Sequence, residues 1–340
     1  MKNIKVLGAI AAVLLLALAA YFGWNSLSHE RPPLIGSDPF LNSGATSGFT
    51  RPLPQWVKLD AEKVALGNKL FHDTRLSGDN TVACASCHAL TRGGVDGRPH
   101  SIGIHGAEGG INAPTVLNSG FNFVQFWDGR AATLEEQVNG PVTNDKEMGS
   151  TWPQVIEKLK QDENYVTQFA QIYSTPPSPE AVRDAIATFE RSLITPNSPF
   201  DRYLRGDGAA MSASAQRGYQ LFQSYGCIAC HQGMNLGGNM YQTMGVMDNY
   251  FADRGHPTEA DLGRYNVTHL DDDKHKFRVP SLRNVALTAP YFHDGSANTL
   301  QQAVTVMAKY QLGRSVPERD MTDLVAFLES LTGKLGGNTP

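Results

Sequence analysis

All four cysteines of the chain stand in two Cys-x-x-Cys-His runs, Cys84-Ala-Ser-Cys87-His88 and Cys227-Ile-Ala-Cys230-His231. Two thiols three positions apart, followed at once by an imidazole, form the attachment pattern of a c-type haem. The thiols make thioethers to the porphyrin vinyl groups, and the histidine reaches the iron. Two runs therefore imply two covalent haems, with His88 and His231 as iron ligands. Other uses of four cysteines explain less. Disulfides leave both histidines unaccounted for. A zinc site would need the two pairs to converge across 139 intervening residues, far beyond the usual spacings. A thioredoxin-like dithiol expects a βαβ setting and does not call for the histidine.

The other face of each iron decides the chemistry. Methionine opposite histidine raises the potential and suits electron transfer. An open face can meet a small oxidant. After the second run the available methionines are Met234, Met240, Met244, Met247, Met307 and Met321, and Met307 falls on a helix able to lie over the haem. A methionine on an apolar helix face is also ordinary core material. After the first run, His100 and His105 share a Gly-rich loop, and either is in reach of the iron. Further along come Gln137 and Glu147. Splitting an O–O bond needs a base to carry a proton between the oxygens and a polar group for the developing charge. Glu147 has the type for the first task. Its neighbours Asp145 and Lys146 equally suit a solvated acidic residue.

The surrounding composition is that of a globular protein. The chain has 340 residues, 41% hydrophobic and 18% charged, long enough for about two domains. A net charge of −4 argues against nucleic acid as a partner, because phosphate binding needs concentrated positive charge. Residues 1–24 read as a signal peptide or membrane anchor: Lys2 and Lys5 precede an uncharged apolar run from Val6 to Trp24. Either reading sends the remainder across a membrane. Residues 25–50, rich in Ser, Gly and Pro, read as a linker.

The chain then repeats itself. Pro114–Asn118 matches Pro280–Asn284, and Trp127-Asp-Gly-Arg matches His293-Asp-Gly-Ser, both at an offset of 166 residues. Gly67-Asn-Lys-Leu-Phe71 matches Gly218-Tyr-Gln-Leu-Phe222 ahead of each haem run. The repeat predicts a mainly α fold: two cytochrome c-like haem domains related by internal duplication, with long loops. Their ranges are 51–195 and 208–340, with 196–207 as the interdomain linker. Apolar spacing predicts helices over 61–71, 133–139, 153–173, 179–194, 212–224, 299–310 and 317–332. No strand alternation is evident.

These residues together resemble the bacterial di-haem cytochrome c peroxidases, over roughly residues 55–334. The resemblance is carried by both haem runs, Asn112-Ala-Pro-Thr, Phe126-Trp-Asp-Gly-Arg130, Leu134-Glu-Glu-Gln137, Glu147-Met148, Leu287 to Gly295 and Met307 to Gly313. It implies a periplasmic enzyme, tethered or freed by signal cleavage, that reduces hydrogen peroxide with electrons from a small cytochrome c or cupredoxin. The N-terminal haem would be the low-potential peroxidatic centre, with His105 as its distal ligand at rest. The C-terminal haem would be the high-potential entry point, held by His231 and Met307. Glu147 would move the proton, Gln137 would assist it, and Trp127 would lie between the haems. A calcium ion would join the domains through Asn112, Thr288 and Pro290. His293 would stand near the second haem without binding iron. A homodimer is also implied. Two other readings follow from the same motifs. A MauG-like enzyme oxidising a partner protein is expected to carry tyrosine in place of Met307. A non-enzymatic electron carrier would keep both irons closed.

Overall fold

The computed structural model describes residues 49–336. The predicted anchor or signal segment and most of the predicted linker lie outside them. The last linker residue, Thr50, is buried: it bridges to Gly233, and its hydroxyl lies 2.8 Å from that of Tyr219.

Seven longer helices carry the fold: α1 (Ala61–Phe71), α2 (Trp152–Lys160), α3 (Glu163–Tyr173), α4 (Pro179–Ser192), α5 (Ala213–Ser224), α6 (Leu300–Leu312) and α7 (Glu318–Glu329). Their starts follow from capping side chains. Asp60 accepts from the N–H groups of Glu62 and Lys63, Ser178 precedes Pro179, and Ser212 accepts from Ala215 N–H. One predicted helix, 153–173, is two. It breaks after Lys160, where Asp162 stops being helical and caps α3 through Asn164 N–H. A short helical side chain that can bond backbone favours such a cap over the helix interior. The segment predicted as 133–139 splits into Leu134–Gln137 and Asn139–Thr143. Two three-residue strands, β1 (Tyr241–Thr243) and β2 (Lys276–Arg278), pair antiparallel, too short for alternation to register in the sequence.

Two helix crossings are built alike. α1 packs on α4 with Gly67 pressed to the Ala185 carbonyl; a Cβ there would lie 1.9 Å from that oxygen. α5 packs on α7 with Gly218 against the Asp323 carbonyl, again at 1.9 Å. Only glycine permits such an approach. One turn later Phe71 meets Phe189 edge-on at 5.2 Å, and Phe222 meets Phe327 at 5.0 Å. Local backbone also recurs at the 166-residue offset. Asn118 and Asn284 are left-handed at φ 61° and 59°, and Phe126 and Phe292 at 66° and 71°. Bridges join Gln125 to Ala131 and Tyr291 to Ala297.

Thr195 ties these parts together. Its hydroxyl accepts from the side-chain amides of Asn118 and Asn284, each at 2.8 Å. Beside it, the ion pair of Arg283 with Asp201, at 2.9 Å, has both side chains 0% exposed.

Candidate active site

Each Cys-x-x-Cys-His run is a single tight turn. His88 N–H bonds the Cys84 carbonyl at 3.0 Å, and His231 N–H bonds the Cys227 carbonyl at 3.0 Å. A spacing of three residues on such a turn brings both sulfurs to one side. Burial raises the thiols, Cys84 to about 12 and Cys227 to about 11, as expected of sulfurs facing an apolar group. Both histidines are oriented alike. His88 Nδ1 lies 3.2 Å from the Gly94 carbonyl, and His231 Nδ1 lies 3.1 Å from the Leu236 carbonyl. A proton on Nδ1, shared with that oxygen, leaves Nε2 as a free lone pair, the arrangement a metal-ligating imidazole adopts. Burial lowers both imidazoles and keeps them neutral.

The second run opens onto a cavity of about 380 Å³. Cys227, Cys230 and His231 line it, as does Met307 from α6. So do Trp127, Asn112, Thr288, Pro290 and His293, which come from three separate stretches of sequence. The lining is apolar enough for a porphyrin, and its sulfur and imidazole atoms are those a c-type haem uses. Arg278, buried, also lines it. Its Nε donates to the Phe126 carbonyl at 3.1 Å, and burial pushes it down to about 10. A lone arginine between two apolar residues left no signal of this in the sequence.

Trp127 is buried, and its indole N–H donates to the Asn112 carbonyl at 2.9 Å. Asn112 N–H in turn donates to the His293 carbonyl at 2.7 Å, and the Trp127 and His293 rings meet edge-on at 6.3 Å. His293 is 3% exposed, stacked on Phe277 at 4.5 Å. Its Nε2 lies 2.7 Å from Asp261. Asp261 also pairs with Arg254. Sequence reading missed this partner, which lies 32 positions away. Asn112 Nδ2 donates to the Arg98 carbonyl at 2.8 Å. Among the described residues no donor reaches Asn112 Oδ1 or the carbonyls of Thr288 and Pro290. All three residues line the same cavity, and oxygens of this type are the donors calcium takes.

Gln137 and Glu147 lie elsewhere, in the half that holds His88, and both are half-buried. Gln137 ends the short helix capped by Thr133. Glu147 accepts from Asn144 Nδ2 at 2.8 Å. Burial raises its carboxyl, against lowering by Arg130 and Asn144. A raised carboxyl is suited to exchanging protons near neutral pH. The histidine loop rests directly on this segment. Ile104 N–H bonds the Glu147 carbonyl at 2.8 Å, and a Cβ on Gly103 would lie 2.1 Å from the Lys146 carbonyl. His105, left-handed at φ 55°, has its side chain 76% exposed and 3.5 Å from Asp79. His100 lies 3.2 Å from Glu108.

Comparison with known proteins identifies the family. Residues 61–209 match the family model described as di-haem cytochrome c peroxidase. The chain is 53% identical over 284 residues to cytochrome c peroxidase Ccp of Escherichia coli, covering 83% of this chain and 61% of that protein's length. It is 43% identical to the cytochrome c551 peroxidase of Nitrosomonas europaea, covering 83% of this chain and 84% of that one. Among solved structures, a MauG-like protein associated with microbial copper homeostasis aligns with a TM-score of 0.73 at 29% identity, over 90% of this chain and 95% of that one.

Proposed function

The chain belongs to the di-haem cytochrome c peroxidase family, and we propose that it reduces hydrogen peroxide to water with electrons from a small periplasmic cytochrome c or cupredoxin. Two haems, bound covalently through the two Cys-x-x-Cys-His runs, would supply the electrons and the iron that meets peroxide. The observation that carries the reading is the inequality of the two halves. Only the half with His88 has Gln137 and Glu147, and only the cavity of His231 has Met307.

In this reading the first haem is the peroxidatic centre and the second is the electron entry point. Glu147 takes the proton from the near oxygen of peroxide and returns it to the departing oxygen. Gln137 stabilises the charge that develops as the bond breaks. Trp127, fixed by its bond to Asn112, would help electrons cross between the haems. His105, on the loop seated against Glu147, would be the exchangeable ligand of the first haem, whose iron would supply the site for peroxide. Arg278, which lines the cavity, would offer a positive charge to the carboxylates of the second haem. Asn112, Thr288 and Pro290 would hold a calcium ion, which would couple the histidine loop to the second half. The recurrent helix crossings and left-handed positions support an origin by duplication, with domains at 51–195 and 208–340. A homodimer is part of the proposal through family resemblance, and a membrane tether through the apolar run from Val6 to Trp24.

A partner-oxidising enzyme of the MauG type is less well supported, since Tyr310 donates to Asp253 at 2.9 Å instead of lining the cavity beside Met307. The test is stepwise reduction of the holoprotein followed by peroxide. A high-spin signal at one haem after one electron, then rapid turnover, is the expected result. Glu147→Gln should lower turnover by about 10²–10⁴-fold, the usual weight of a general acid–base group. Unchanged turnover in that variant would remove Glu147 from the mechanism.

A further inference from the structure

Glu190 is 4% exposed, and its Oε2 has no hydrogen-bond partner among the described residues. A buried polar atom left unsatisfied calls for an explanation. The two helix crossings locate it. Gly67 meets the Ala185 carbonyl and Phe189 Cβ; Gly218 meets the Asp323 carbonyl and Phe327 Cβ. That correspondence lays Phe189 on Phe327 and Glu190 on Leu328. Leu328 lines the cavity of His231 and Met307. Glu190 thus stands in the half of His88 where a leucine faces the haem cavity in the other half. Its charge reaches the Cys84 thiol, which attaches the first haem.

Among the described residues none forms an ion pair with it. Arg191 is turned into a two-pronged pair with Glu135, at 2.7 and 2.9 Å. On α1, Lys63 bonds Asp184 and Lys69 bonds Gln168. His72, whose ring lies 6.4 Å from that of Phe189, bonds the Asn68 carbonyl. Burial pushes Glu190 up to about 8, with Arg191 lowering it and Glu135 raising it.

We propose that Glu190 is a redox-linked proton site of the first haem, binding one proton from solvent as that haem gains an electron and releasing it as the electron leaves. The electron goes to the iron held by His88. The proton forms an O–H bond on the Glu190 carboxylate, and the net charge of the buried site stays constant. In a low-dielectric interior an uncompensated added charge is costly, which is the physical reason for the linkage. The inference rests on the haem assignment at His88.

The experiment is potentiometric titration of the two-haem holoprotein between about pH 6 and 9, a window around the raised carboxyl. Wild type, Glu190→Gln and Glu190→Leu are compared. In the wild type the reduction constant of the first haem should be level below about pH 8, where Glu190 already holds its proton, and should change by up to tenfold per pH unit above it, about 59 mV. It should be flat in both variants, with the second haem's profile unchanged. Infrared difference spectra of the wild type should gain a deuterium-sensitive carboxylic-acid band on reduction of the first haem. An equal slope in Glu190→Gln, or no such band in the wild type, would overturn the proposal. A chain carrying one haem would overturn the underlying assignment as well; a two-haem chain with a flat profile would overturn this inference alone.

Discussion

Asp201→Asn removes one charge from the centre of the protein while keeping the shape of the side chain. Asp201 accepts from Leu53 N–H at 2.9 Å and from Ser198 N–H and Oγ at 3.1 and 2.8 Å, beside its pair with Arg283. Arg283 also donates to the carbonyls of Met234 at 2.7 Å and Arg51 at 3.0 Å. In the variant the guanidinium keeps these carbonyls but loses its counter-charge, and arginine does not shed its proton. Removing one partner of a buried ion pair costs about 3–5 kcal/mol. For a domain of this size about 2–4 °C is lost per kcal/mol, so the melting temperature should fall by about 6–20 °C. Arg283→Met in the same chain should restore much of the loss, since a well-packed apolar replacement of a buried pair is often neutral. Urea unfolding of the holoprotein, run as a double-mutant cycle, measures both numbers. The second haem should register the damage first, because Met234 lies in the loop between His231 and its acceptor at Leu236. A single-variant loss under about 1 kcal/mol, the level of an exposed pair, would refute the argument.

Gly67→Ala should cost about 3 kcal/mol, the upper range for overpacking, because its Cβ would meet backbone at 1.9 Å. Gly208→Ala, with no atom within 4 Å, is the control; equal urea midpoints for the two would contradict the close crossing. Asp261 gives an acid limit. Burial alone raises it, but hydrogen bonds from Arg254, Thr258 N–H and His293 outweigh burial and hold the carboxyl well below its usual range. Its stabilisation is present above the unfolded value of about 3.9 and is lost as the pH falls through the lower folded value. Asp261→Asn should therefore flatten the stability profile below about pH 4; parallel profiles would dismiss the effect. Chelation should slow the opening of the first haem after one-electron reduction, read as its high-spin signal, if calcium sits at Asn112, Thr288 and Pro290. An unchanged rate in calcium-free protein would count against that site.

Local chemistry made much of this protein legible in its sequence. Cys-x-x-Cys-His is a contiguous turn, so its function does not depend on distant residues. The helix starts predicted at 61, 179 and 212 fall within one residue of those observed, because a capping side chain acts within one turn. The matches at the 166-residue offset include glycine and asparagine positions whose left-handed backbone excludes most other residues. Tertiary structure alone decided what meets what. The break at Asp162 lay inside a run with continuous apolar spacing, and only the cap reveals it. Nothing local relates Asp261 to His293, or Asp201 to Arg283, since each pair forms between segments that fold independently of their numbering. The orphaned carboxyl of Glu190 reads in sequence as an ordinary helical glutamate beside an arginine. Burial turns it into a chemical group with a raised proton affinity, and burial is a property of packing across the whole chain.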